Sequence, residues 1–218
     1  MCTCTSWAGG GWPPRASVVP GADTTAVVET LRARAAELPD WLRAHTGRVV
    51  AEGRRLAQLH ETDPLRVQAA AWGHDLYRHL DDEALLCAAR DLAIAPDAAE
   101  RTEPILLHGP LAAARAQRAW GIGDGEVLDA IRVHTTGRPG MGAVALTLFL
   151  ADKLEPAKVA ADPGLAGIRV LAERDPVAAL LAFLDRRTMH YVSAGRVLHP
   201  LAIETRNWAL AETRSRGL

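Results

Sequence analysis

Ala143–Leu154 is apolar on nearly every face until Asp152 interrupts it. A helix that is hydrophobic all round has to be enclosed by protein, so this segment predicts a central buried helix in an all-α bundle. Asp152 shares a stripe with Ala145 and Leu148. A carboxylate placed there must be paired, protonated or metal-bound, because an isolated buried charge is prohibitively costly. One segment therefore sets an expectation for the fold and another for a site.

The rest of the chain supplies the surrounding helices. Alanine, leucine and arginine abound, while Phe and Tyr number two each; that balance favours helix. Asp23 starts a helix carrying Val27, Val28, Leu31 and Leu38, closed by Pro39. Asp40 caps the next, in which Leu42, His45, Val49, Leu56 and Leu59 recur at helical spacing. Asp63-Pro64 is an N-cap followed by proline at the first helical position, and it opens the helix expected to carry His74 and Asp75. Asp82 to Leu92 is a shorter amphipathic piece, and His108 precedes Pro110 near a helix start. Asp124 begins a helix through His134, closed by Gly137 and Pro139. Asp175-Pro176 begins another that runs to Gly195, and a last helix follows Pro200. No strand alternation and no internal repeat is visible.

At 218 residues and 23.4 kDa the chain predicts one domain with an N-terminal extension. Residues 1–22, with Gly9-Gly10-Gly11 and Pro13-Pro14, read as a flexible lead-in that includes Trp7 and Trp12; residues 23–38 form an extra helix. A net charge of −1 gives no basic footprint, so nucleic acid is not the expected partner. Ala143–Ala151 is about half the ~20 residues of a membrane span, and no basic region followed by an apolar run opens the chain. A cytoplasmic, membrane-free protein is expected. Cys2, Cys4 and Cys87 are too few for a disulfide framework; Cys87 reads as a small core residue.

Four histidines and two aspartates carry the chemistry: His45, His74-Asp75, His108, His134 and Asp152. A lone histidine on an apolar face is ordinarily a core residue with one hydrogen bond. Imidazoles and carboxylates converging on one place make each other's burial sensible, and a cation supplies the missing charge. The bland alternative is a bundle with incidental histidines and ion-paired aspartates. His60, His79 and His190 read as surface or capping residues.

The order His, His-Asp, His, His, Asp resembles the metal-dependent HD-domain phosphohydrolases. Longer strings resemble one branch, the YqeK-type hydrolases that split diadenosine tetraphosphate symmetrically: Leu106-Leu-His-Gly-Pro110, Ala130-Ile-Arg-Val-His-Thr-Thr-Gly137, Leu150-Ala-Asp-Lys-Leu-Glu-Pro156 and Leu198-His-Pro-Leu-Ala-Ile-Glu-Thr-Arg-Asn207. The likeness covers roughly residues 40–210 and makes 39–214 the HD-type domain. Leu76, Tyr77, Arg78, Ala157 and Lys158 depart from the family's usual residues, which bears on substrate preference more than on hydrolysis.

What the resemblance implies is a metal-dependent hydrolase that acts on a nucleotide, yielding two ADP from diadenosine tetraphosphate. Two ligand allocations fit. With one ion, His45, His74, Asp75 and Asp152 bind it, leaving His108 and His134 to contact phosphate or move protons. With two, Asp75 bridges and His108 and His134 hold the second. The mixed donor set suits iron or manganese, and the family points to iron. Asp75, His108 and His134 are the expected catalytic groups. Substrate phosphate is expected to meet Arg78, Thr135, Thr136, Lys158, Arg196, His199 and Arg206. A related nucleotide phosphohydrolase or phosphodiesterase is the nearest alternative; a regulatory module that has lost catalysis is another. A homodimer is compatible with the sequence.

Overall fold

In the computed structural model, which describes residues 23–216, the chain passes from helix to helix. In order these are α1 (Thr24–Ala35), α2 (Asp40–Leu59), α3 (Pro64–Gly73) and α4 (Asp82–Asp91). Then come α5 (Ala98–Thr102), α6 (His108–Trp120), α7 (Gly125–Val133) and α8 (Ala143–Leu154). The last four are α9 (Pro156–Ala161), α10 (Ala166–Ala172), α11 (Pro176–Ser193) and α12 (Pro200–Ser215). Short 3-10 turns precede α6 and α10, and no strand occurs among the described residues. The flexible lead-in, Trp7, Trp12, Cys2 and Cys4 lie outside the described residues. No helix among those described is long and apolar enough to cross a membrane.

The start signals act as anticipated. Asp23, Asp63, Asp124 and Asp175 each accept backbone N–H bonds in the first turn of α1, α3, α7 and α11. Asp40 is one residue inside its helix, because Pro39 holds the N-cap position and makes no side-chain cap. α8 is the central helix: Leu148, Phe149, Ala151 and Leu154 are fully buried, and α2, α3, α7, α10 and α11 pack around it. Each such leucine contributes about 1.5–3 kcal/mol through burial. α1 joins the same core, with Leu31 fully buried against Gly73. Cys87 is buried, as expected of a core residue.

Two helices expected to carry metal-binding residues end just before them. α3 stops at Gly73 and α7 at Val133, so His74 and His134 occupy C-cap positions and Asp75 a following turn. His108 is the first residue of α6. Helix ends, not helix interiors, therefore present three of the four imidazoles. Gly109 permits the arrangement: a Cβ there would stand 2.9 Å from the Ile131 carbonyl oxygen and 3.0 Å from that of Arg132. Backbone cannot yield at that distance.

Alanine ordinarily stabilises a helix relative to glycine. Gly109→Ala should do the opposite. Overpacking of ~1–3 kcal/mol predicts a melting temperature lower by roughly 2–10 °C. A thermal melt checks this, and a melting temperature at or above wild type would contradict the close approach of α6 to α7.

Candidate metal centre

His74, His108 and His134 use one local device. In each, Nδ1–H donates to the backbone carbonyl three residues earlier: Ala71 at 2.7 Å, Ile105, and Ile131 at 2.8 Å. A carbonyl only accepts, so Nδ1 must carry the proton and the lone pair lies on Nε2. The bonded carbonyls are last-turn carbonyls of α3, the 3-10 turn before α6, and α7. Satisfying them fixes each ring with Nε2 turned inward. His45, inside α2, is oriented differently: its Nδ1 faces Glu155 Oε1 at 3.4 Å.

The four Nε2 atoms surround two carboxylates. Asp75 Oδ2 lies 3.3 Å from His74 Nε2 and 3.6 Å from His45 Nε2, whereas Oδ1 lies 3.2 Å from His108 Nε2 and 3.4 Å from His134 Nε2. Asp152 Oδ1 is 3.1 Å from His45 Nε2 and 3.9 Å from His74 Nε2. All six residues are buried. One aspartate thus turns one oxygen to each half of the cluster.

The arrangement is short of positive charge. His74 Nε2 is buried with no hydrogen-bond partner. His108 Nε2 and His134 Nε2, both lone-pair atoms in the tautomers above, face each other at 2.9 Å. Only a proton or a cation makes either contact favourable. Burial opposes a charge on Asp75, yet the His74, His108 and His134 rings around it, once they share a proton, hold its carboxyl well below the usual range. Burial likewise opposes ionisation of Asp152, and the ammonium groups of Lys153 and Lys158 overcome it. Burial pushes the His134 imidazole down to about 4, with His108 and His74 adding to the effect against Asp75; the ring is neutral near pH 7. Imidazole nitrogens beside ionised carboxylates are the donors a divalent cation takes, and His45, His74 and Asp152, or His74, Asp75 and His134, lie close enough to share one.

The cluster forms the floor of a cavity of about 1470 Å³. Arg78, Thr135, Lys158 and Arg196 line it. Thr135 Oγ1 lies 3.4 Å from His108 Nε2 and 3.3 Å from His134 Nε2, and the Lys158 ammonium donates to Asp152 Oδ1 at 2.7 Å. Three expected residues are elsewhere. The Thr136 hydroxyl turns back to the Gly137 carbonyl at 2.9 Å. His199 caps α12 through the Leu201 N–H and pairs with Asp97 at 3.2 Å. Arg206 pairs with Asp185 on α11 at 2.7 Å. In each case a nearer partner satisfies the side chain away from the cavity. His190, read as a surface or capping residue, is exposed and also lines it, while His60 does secure a helix end, bonding the Ala172 carbonyl at 2.7 Å.

Sequence reasoning passed over Glu155, Arg48 and Lys153. Glu155, 1% exposed, accepts from Arg48 Nε at 2.9 Å and from the Ala157 N–H at 2.7 Å while holding His45. The signal was present: a glutamate just before Pro156, three residues after Asp152, reads as an N-cap. That it also reaches α2 depends on how α8 and α2 pack, which spacing does not reveal. Because an orienting carboxylate raises ligand basicity, Glu155→Gln should lower divalent-metal affinity roughly 10–100-fold with the fold intact. Calorimetric titration with manganese measures it; unchanged affinity would show that Glu155 does not orient His45.

A scan of protein-family models finds no match. Curated proteins and solved structures do resemble the chain. It is 31% identical over 169 residues to the symmetrical bis(5'-nucleosyl)-tetraphosphatase of Bacillus subtilis (strain 168), covering 77% of this chain and 88% of that one. The enzyme of the same name from Staphylococcus aureus (strain NCTC 8325 / PS 47) is 34% identical over 136 residues, 62% of this chain and 69% of that one. Among solved structures, a predicted HD superfamily hydrolase involved in NAD metabolism, from Clostridium acetobutylicum, matches at a TM-score of 0.78 and 27% identity. That match covers 88% of this chain and 98% of the other. The motif order, the convergent imidazoles and this extended identity agree: the chain belongs to the symmetrical bis(5'-nucleosyl)-tetraphosphatase family of HD-type phosphohydrolases.

Proposed function

We propose that this chain hydrolyses dinucleoside polyphosphates, cutting diadenosine tetraphosphate between its two inner phosphates to give two ADP. The observation that carries the reading is the division of Asp75, one oxygen toward His45 and His74 and the other toward His108 and His134. Such a floor would hold one or two divalent ions: His45, His74, Asp75 and Asp152 would be donors to a first, and Asp75, His108 and His134 to a second. The donor set of imidazoles and carboxylates suits iron, with manganese as a substitute. Bound there, divalent ions would offset phosphoryl charge and make water a nucleophile near neutral pH.

The protein's own groups then bind and orient the chain of phosphates. The guanidinium of Arg78 makes no ion pair or hydrogen bond with any described residue, which leaves it free for a phosphate oxygen. Lys158 already carries its charge to the edge of the cluster. Thr135 Oγ1, beside both His108 and His134, can donate to the inner phosphate. His134, with its pKa near 4, is a neutral ligand and a poor general acid. Little acid is needed, because ADP is a good leaving group. Ordinary small-molecule pockets measure about 300–1,000 Å³, and this cavity exceeds them, as a two-nucleoside substrate requires.

An inactive sensor would have no use for a complete ligand set. The test is to incubate the iron- or manganese-loaded enzyme with several dinucleoside polyphosphates and identify products by chromatography. ADP should be the sole product from diadenosine tetraphosphate, and Asp75→Ala should abolish turnover while leaving helical circular dichroism unchanged. Monophosphate or nucleoside products, or activity in the Asp75 variant, would contradict the reading.

A further inference from the structure

We propose that Trp41 is the stacking platform for one nucleobase of the substrate, a base-binding residue at the rim of the metal cavity. The inference rests on the nucleotide reading above and extends it from the phosphates to the base. Four tryptophans fall within the described residues, and three are used in packing. Trp72, Trp120 and Trp208 lie against the core, the first two beneath the guanidinium groups of Arg32 and Arg34. Trp41 is the exception: its residue is 59% exposed, and among the described residues no cation or aromatic ring covers it. Folding of α2 does not need the indole, because the core stripe of that helix is Leu42, Val49, Leu56 and Ala57. An uncovered indole forgoes burial of roughly 150–250 Å² of side chain.

The position gives the exposure a use. Trp41, His45 and Arg48 are spaced four and three residues apart, so they share one face of α2, and all three line the cavity. His45 faces the metal cluster, and Trp41 stands one turn outward, about 6 Å along the axis. A nucleotide whose terminal phosphate meets the cluster and whose sugar points outward carries its base to that rim. Tyr191 also lines the cavity, but its ring already carries the guanidinium groups of Arg187 at 4.5 Å and Arg196 at 4.7 Å. Trp41 has a free face. Stacking uses the π-face that every base possesses and does not read edges, so adenine and guanine nucleotides should both be held.

The experiment titrates ADP and, separately, pyrophosphate into wild type, Trp41→Ala and Trp41→Phe in manganese buffer by calorimetry, with circular dichroism to confirm the fold. Trp41→Ala should weaken ADP about tenfold, equivalent to ~1.4 kcal/mol, and leave pyrophosphate unchanged; Trp41→Phe should recover most of the loss. Unchanged ADP affinity would overturn the proposal. So would equal weakening of ADP and pyrophosphate, or a wild type that binds ADP no better than pyrophosphate. A wild type that binds ADP through Trp41 yet leaves diadenosine tetraphosphate intact would instead remove the hydrolase reading and keep the platform.

Discussion

Two carboxylates buried in the middle of an α-helical core are the constraint from which the rest of the molecule follows. Asp75 and Asp152 are 5% and 4% exposed, and each would be untenable as an isolated charge. The protein answers with ring nitrogens, lysine ammonium groups and space for a cation, arranged so that neither acid has to take up a proton to remain buried. Lys153 meets one oxygen of Asp152, and Lys158 shares the other with the imidazoles of His45 and His74. Among the described residues the Asp75 carboxylate is met only by imidazoles, and it is the group most dependent on added positive charge.

Building that centre falls to helix ends. A helix terminus leaves backbone carbonyls open to further donors, and here three histidines donate to such carbonyls through Nδ1. The same bond completes a helix and aims a metal-binding nitrogen, so folding and site assembly are one event at these positions. α8 delivers Asp152 from within the core, and α2 delivers His45 from the opposite wall. Glycines set the spacing. Gly73 lies where a Cβ would reach Ile131 Cδ1 at 2.7 Å, and Gly109 lies against the last turn of α7, so the His74, His108 and His134 rings can meet.

The sequence made much of this legible for definite physical reasons. Aspartate caps and Asp-Pro starts mark helix beginnings by local chemistry, and those of α1, α3, α7 and α11 were readable on that basis. Asp152 betrayed the site because a charge in the most apolar helix has few explanations. Helix ends were less legible: periodicity carried the α3 and α7 readings through His74 and His134, although the chain leaves the helix there to use those rings as caps. Long-range pairings were invisible. Nothing in the spacing says that Arg206 meets Asp185, that His199 meets Asp97, or that Glu155 reaches His45. Side chains of those types near a phosphate site invite assignment to it, and only packing shows which have closer partners.

Phosphate chemistry on this scaffold therefore divides by depth. The floor holds charge in fixed geometry, the wall above it offers movable cations such as Arg78, and the rim carries an uncommitted aromatic surface. The most direct test of the central claim is an anomalous diffraction map of manganese-soaked crystals. The account predicts anomalous peaks enclosed by the Nε2 atoms of His45, His74, His108 and His134, with Asp75 between them. A map with no peak among those atoms, or with the rings turned to unrelated partners, would contradict it.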